Sequence, residues 1–129
     1  MTAYPKVTRR PKKQPAHVPK DVLAALIERD GHRSAWTGDD VPTLVPQHRQ
    51  GGAGGRRGKH RLSNLVLLES LTNGLVESDA DYQAEAIRRG IKISLHADPT
   101  LVPVLHAVHG LVVLTDDGAV VPVGEVMKR

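Results

Sequence analysis

The segment least able to take regular structure is Arg49 to Ser63, with QGGAGGRRGKHR at its heart. Glycine loses more conformational freedom in a helix or strand than any other residue, so neither element should cross this stretch. Loops of this length are usually functional or disordered. Short apolar runs flank it: TLVPQH before, ending at His48, and LVLL after Asn64. The first reads as a short strand, with Pro46 implying an edge or a bulge. The second is short enough for a strand without excluding a helix. From Glu69 to about Glu77 the pattern turns helical. The loop thus predicts an order of strand, long loop, strand, helix.

A chain of 129 residues suits one domain. Its core must be aliphatic, because there is no Phe, one Trp and two Tyr. A domain this small is only modestly buried, and a partner or a homo-oligomer would help it. The net charge of +4 and pI near 9.7 favour polyanions such as nucleic acid. The dense basic runs are TRRPKKQP near the N-terminus and RRGKHR at 56–61. The absence of cysteine excludes disulfides and thiolate metal sites. No apolar run reaches the length of a membrane span, and the first residues do not resemble a secretory signal. A cytoplasmic protein is expected.

Residues 1–17 should form a disordered basic arm. PKDVLAALIERDG reads as a helix, with Pro19 in its first turn and Gly31 as its stop. HRSAW suggests a short strand and TGDD a turn. SDADYQAEAIRRG is a further helix, with Ser78 and Asp81 as a capping box and Gly90 as the stop. After Pro99, LVPVLHAV, GLVVLT and AVVPV are β-like, with TDDGA as a hairpin turn.

The order strand, His48, loop, Asn64, strand, helix with Asn73 resembles the HNH (ββα-metal) endonuclease family. NLVLL occupies the place of the family's NLxxL segment, and the spacing from Asn64 to Asn73 fits. ERDGHRSAWTG looks like the segment that many members write RDGxxCxxCG. The likeness covers roughly residues 28–79, and small bacteriophage HNH proteins look closest over Arg29 to Gly90. It implies an α+β fold: an HNH-like domain over 18–90 and a β-rich extension over 91–129 packed on the same domain.

The resemblance also implies roles. His48 would be the general base, Asn64 would order the loop, and Asn73 would offer a carboxamide oxygen to one divalent cation, Mg²⁺ or else Mn²⁺. Gln47 stands where many members carry an Asp or His ligand. Glu77, at i+4 from Asn73, would supply the anionic charge that Gln47 lacks. Arg49, Arg56, Arg57, Lys59 and Arg61 would grip the phosphates of double-stranded DNA. Ser34, Thr37, Glu69 and Thr72 stand where zinc-braced members carry four cysteines. No structural zinc is expected, and packing of Trp36, Leu44, Leu65, Leu67 and Leu71 would brace the motif instead.

Each residue also has a plainer use. A lone histidine such as His48, His60, His96, His106 or His109 is usually structural. Asn73-Gly74 can end a helix early, which would carry Glu77 off the ligand face. Three rival readings follow: a degenerate HNH fold that binds DNA without cutting, a phage packaging or assembly accessory acting through its β-rich tail, and a chance match.

Overall fold

The computed structural model describes residues 17–51 and 58–127, with side chains as far as Glu125. The basic arm, apart from His17, lies outside the described residues, as do Arg56 and Arg57.

The fold is a small α+β domain. The order is α1 (Lys20–Asp30), β1 (Leu44–His48), a 3₁₀ turn (Leu62–Asn64), β2 (Leu65–Glu69), α2 (Ser70–Ser78), α3 (Ala80–Arg88), β3 (Val104–His106), β4 (Gly110–Leu114), β5 (Val120–Pro122) and α4 (Val123–Met127). β1 and β2 form a two-stranded antiparallel ribbon, and β3, β4 and β5 form an antiparallel sheet in that order. Pro46 sits without conflict because a strand in a two-stranded ribbon has a free edge.

The ribbon is covered on both faces, which explains the unbroken apolar run in β2. Leu65 and Leu67 pack with Leu26, Val22, Leu23 and Ile27 of α1. Val66 and Leu68 pack with Val76 of α2, Ala86 of α3, Ile91, and Val104, Val112 and Leu114 of the second sheet. The second cluster joins β2, α2 and α3 to the C-terminal strands. Four buried aliphatic side chains contribute roughly 6–12 kcal/mol of gross transfer energy, before chain entropy is set against it.

HRSAW is not a strand. Ala35–Thr37 is a turn, because local hydroxyls outcompete a ladder. Ser34 Oγ accepts the N–H groups of Trp36 and Thr37, at 3.0 and 3.2 Å, and donates to Glu69 Oε1 at 2.5 Å. Thr37 Oγ1 donates to Glu69 Oε2 at 3.0 Å. This clasp ties the turn to the end of β2. Leu71 takes no part in bracing, since it is 75% exposed. The cap of α3 is Asp79 and not Ser78: its carboxylate accepts the N–H groups of Asp81 and Tyr82. Ser78 instead ends α2, its hydroxyl donating to Gly74 O. The final α4 was not legible in AVVPV.

Two glycines matter. Gly74 lies inside α2 and does not end it. Gly90 has φ of 72°, and a Cβ there would lie 2.0 Å from Pro103 O. Only glycine admits that approach.

Candidate functional site

His48 ends β1, opposite Leu65. The chain on either side of it is held firmly. Arg49 N–H donates to Asn64 O at 2.8 Å. The buried Asn64 carboxamide then spans the loop: Oδ1 accepts from Gln50 N at 2.8 Å, and Nδ2 donates to Lys59 O at 2.9 Å. One side chain thereby joins the loop's entry to its exit.

The His48 ring meets a second histidine. Its Nε2 lies 3.0 Å from Nδ1 of His60, with the ring centroids 5.1 Å apart. His60 is almost fully buried. Burial pushes the His48 pKa from 6.5 down to about 4, helped by the charges of His60 and Lys59. His48 is therefore neutral at pH 7, and no carboxylate among the described residues contributes to its shift.

Gln47 and His48 point to opposite faces of the ribbon, as neighbours on a strand must. Gln47 shares its face with Val66, the side covered by Val76 of α2. Its Nε2 donates to His48 O at 3.0 Å. Asn73 and Glu77 fall one turn apart on α2 and so share a helix face. Glu77 is exposed and ion-paired to Lys92 Nζ at 2.8 Å. An exposed pair of this kind is worth only about 0.2–1 kcal/mol.

The cationic residues divide. Arg49 is not a phosphate contact. It is fully buried, and its guanidinium donates to four carbonyls: Gly90 O and Ser63 O at 2.8 Å, Pro99 O at 3.0 Å and Val102 O at 2.8 Å. No donor is left facing solvent for a phosphate. Arg61 is ion-paired with Asp116 at 2.7 Å, and Asp98 lies 3.6 Å away. A phosphate would have to compete with those carboxylates. Lys59 is half-buried beside His48 and adds positive charge there.

A separate group of ligating side chains joins α1 to the β3–β4 turn. The ligand atoms of Asp30, His106 and His109 lie within 4.8 Å of one another. The spacing suits a metal ion, but the charges do not. Arg29 already grips both Asp30 oxygens, at 2.7 and 2.8 Å. Val108 N–H donates to His106 Nδ1 at 3.1 Å, so that ring carries its proton on Nε2, facing Asp30. Burial works to raise the Asp30 pKa, but hydrogen bonds from Arg29 and His106 hold it well below the usual carboxylate range. The group is complete as a hydrogen-bonded clasp, and a divalent ion would face Arg29 at close range.

No known family, curated protein or solved structure matches this chain. The site must be argued from its own residues. Sequence reasoning passed over His60, because a lone histidine beside arginines carries no local signal. Its importance rests on contact with a residue twelve positions earlier.

Proposed function

We propose that the chain is a metal-dependent phosphodiester hydrolase of the HNH type acting on DNA, with His48 as general base. One observation carries this reading. His48 ends β1, Asn64 joins the two ends of the loop that follows, and the next helix after β2 presents Asn73 and Glu77 on one face. That order of elements is the one the HNH resemblance expects, with His48 on the ribbon face of Leu65 and Gln47 on the face that α2 covers.

His48 accepts the proton of an attacking water. A free pKa of about 4 is low for this task. The negative charge of a bound phosphodiester favours the imidazolium and moves the group toward neutrality. Asn64 holds the loop so that His48 keeps its aim. Gln47, Asn73 and Glu77 would hold the cation, whose chemistry is stabilisation of charge on the phosphate. Lys59 attracts the backbone without reading sequence. By family resemblance the products would carry 5′-phosphate and 3′-hydroxyl ends.

The test is cleavage of supercoiled plasmid with Mg²⁺, Mn²⁺ or EDTA, alongside His48→Ala. Metal-dependent nicking that falls at least ~100-fold in the variant supports the assignment. Undiminished cleavage by His48→Ala excludes His48 as the base.

A second reading, a DNA-binding or phage assembly accessory on the same fold, is favoured by the neutral Gln47 and the engaged Glu77. It predicts DNA retardation on a gel without cleavage under any metal.

A further inference from the structure

We infer that Arg61 and Ser63 form an oxyanion site that the chain fills with its own Asp116 carboxylate, so that Asp116 masks a contact for a DNA phosphate. The inference deepens the DNA-binding reading of the basic loop and rests on it for the identity of the anion.

Four donors converge on one carboxylate. Arg61 Nε and Nη2 donate to Asp116 Oδ2 at 2.9 and 2.7 Å. Ser63 N–H donates to Asp116 Oδ1 at 3.3 Å, and the Ser63 hydroxyl donates to the same oxygen. Chemistry fixes the roles in this corner. A guanidinium and a backbone N–H can only donate, and an ionised carboxylate can only accept. Burial works to raise the Asp116 pKa, but hydrogen bonds from Arg61 and Ser63 bring it below the usual carboxylate value, so the acid is ionised at neutral pH.

The same donors suit a phosphate. A guanidinium edge beside a hydroxyl and an N–H matches the oxygens of a phosphodiester as it matches those of a carboxylate. Asp98 adds a second negative charge, 3.6 Å from Arg61 Nη2. Both acids come from outside the loop: Asp98 from the segment after α3, and Asp116 from the turn between β4 and β5. The Arg61 and Asp116 side chains are 39% and 43% exposed, so a polyanion reaches the pair from solvent. Partners so exposed exchange readily. Ser63 is buried beneath them, and a phosphate meets it only by displacing Asp116. Arg49, sealed among carbonyls, has no such exchange open to it. The corner also stands near the proposed base, since Arg61 follows His60, whose ring lies 3.0 Å from that of His48.

The test uses the full chain carrying Asp116→Asn. The asparagine keeps an acceptor for Ser63 and turns an amide NH₂ toward Arg61, which frees the guanidinium. Asp117→Asn removes the same charge from the neighbouring residue and is the control. In ¹H–¹⁵N NMR, inorganic phosphate should shift the Arg61 Nε–H and Ser63 N–H signals of Asp116→Asn at concentrations that leave the native chain and Asp117→Asn unmoved. In fluorescence anisotropy, a labelled DNA duplex should bind Asp116→Asn about 2- to 5-fold tighter than Asp117→Asn. The slope of log Kd against log salt should steepen by about 0.9, for one more phosphate neutralised. Adding Arg61→Ala should erase both gains. No phosphate shift at Arg61 and Ser63 in Asp116→Asn would overturn the inference, whatever the duplex does. A phosphate shift with no gain in duplex affinity over Asp117→Asn would leave a site for free phosphate and overturn the masking of a DNA contact. A phosphate shift in a protein that binds no duplex at all would keep the Arg61–Ser63 site and remove the DNA reading instead.

Discussion

Arg49 is the residue whose replacement separates scaffold from DNA contact. Arg49→Met keeps most of the stem and removes the guanidinium. Four carbonyls, those of Ser63, Gly90, Pro99 and Val102, then lose their donor inside the protein. Each orphaned acceptor costs about 1–3 kcal/mol, roughly 4–12 in total. Against this stands the relief of no longer burying a charge, several kcal/mol. That charge is real at neutral pH, since burial and the nearby Arg29 lower the Arg49 pKa only to about 10. The net expectation is a loss of about 3–5 kcal/mol, a large share of a typical domain's ~5–15. Urea unfolding followed by the fluorescence of Trp36, the single tryptophan, reads this directly. With a slope near ~2 kcal/mol/M, the midpoint should fall by roughly 2 M. Arg49→Lys should fall in between, because three donors on one nitrogen cannot span four carbonyls. An unchanged midpoint together with weakened DNA binding would refute the argument and return Arg49 to the phosphate-binding set.

Two glycines should respond in opposite directions. Gly74→Ala fills open space in mid-helix and should add about 0.5–1 kcal/mol, a Tm increase of roughly 2–5 °C by calorimetry. Gly90→Ala puts a Cβ against Pro103 O and should leave little folded protein by circular dichroism at 37 °C. Stability should also depend on pH. The folded His48 pKa of about 4 lies below its ordinary 6.5, so the unfolded chain binds the extra proton between those values. Stability from this group is complete above pH 6.5 and is lost as pH falls toward 4. Because the ring is partly in water, the loss should be about 1–2 kcal/mol. Urea midpoints in that window should flatten in His48→Gln.

What was legible in the sequence was local. Pro19 and Gly31 bound α1, because caps, turns and periodicity act over a few residues, whereas the role of Asn64 came from the HNH resemblance, and its bond to Gln50 N reaches 14 positions back. The strand expected at HRSAW failed for a local reason too: Ser34 and Thr37 satisfy nearby N–H groups through their hydroxyls. Arg49 and His60 were not legible. The Arg49 guanidinium finds carbonyls 14 to 53 positions away, and a run of cations around a glycine loop looks the same whether its members face solvent or the core. Only the packing of 90–102 against the loop decides that.

The charges around His48 bear on how the cation and the DNA would bind. Lys59 adds positive charge at the ring, Arg49 is a buried cation in the next position, and Gln47 is neutral. Glu77 is the one anion in the proposed ligand set, and it faces Lys92. Such a site attracts a polyanion more readily than a free cation. A bound phosphodiester, however, brings the negative oxygens that the ligand set lacks. Metal and DNA should therefore bind with positive coupling, each strengthening the other by the same factor. Calorimetric titration with Mn²⁺ should show weak binding to the protein alone, and binding about 10-fold or more tighter to its complex with a cleavage-resistant phosphorothioate duplex. Lys92→Ala should tighten the binding to free protein by releasing Glu77. Equal Mn²⁺ affinity with and without DNA would mean that the phosphate is not a ligand, and the proposed cation site at Gln47, Asn73 and Glu77 would fall with it.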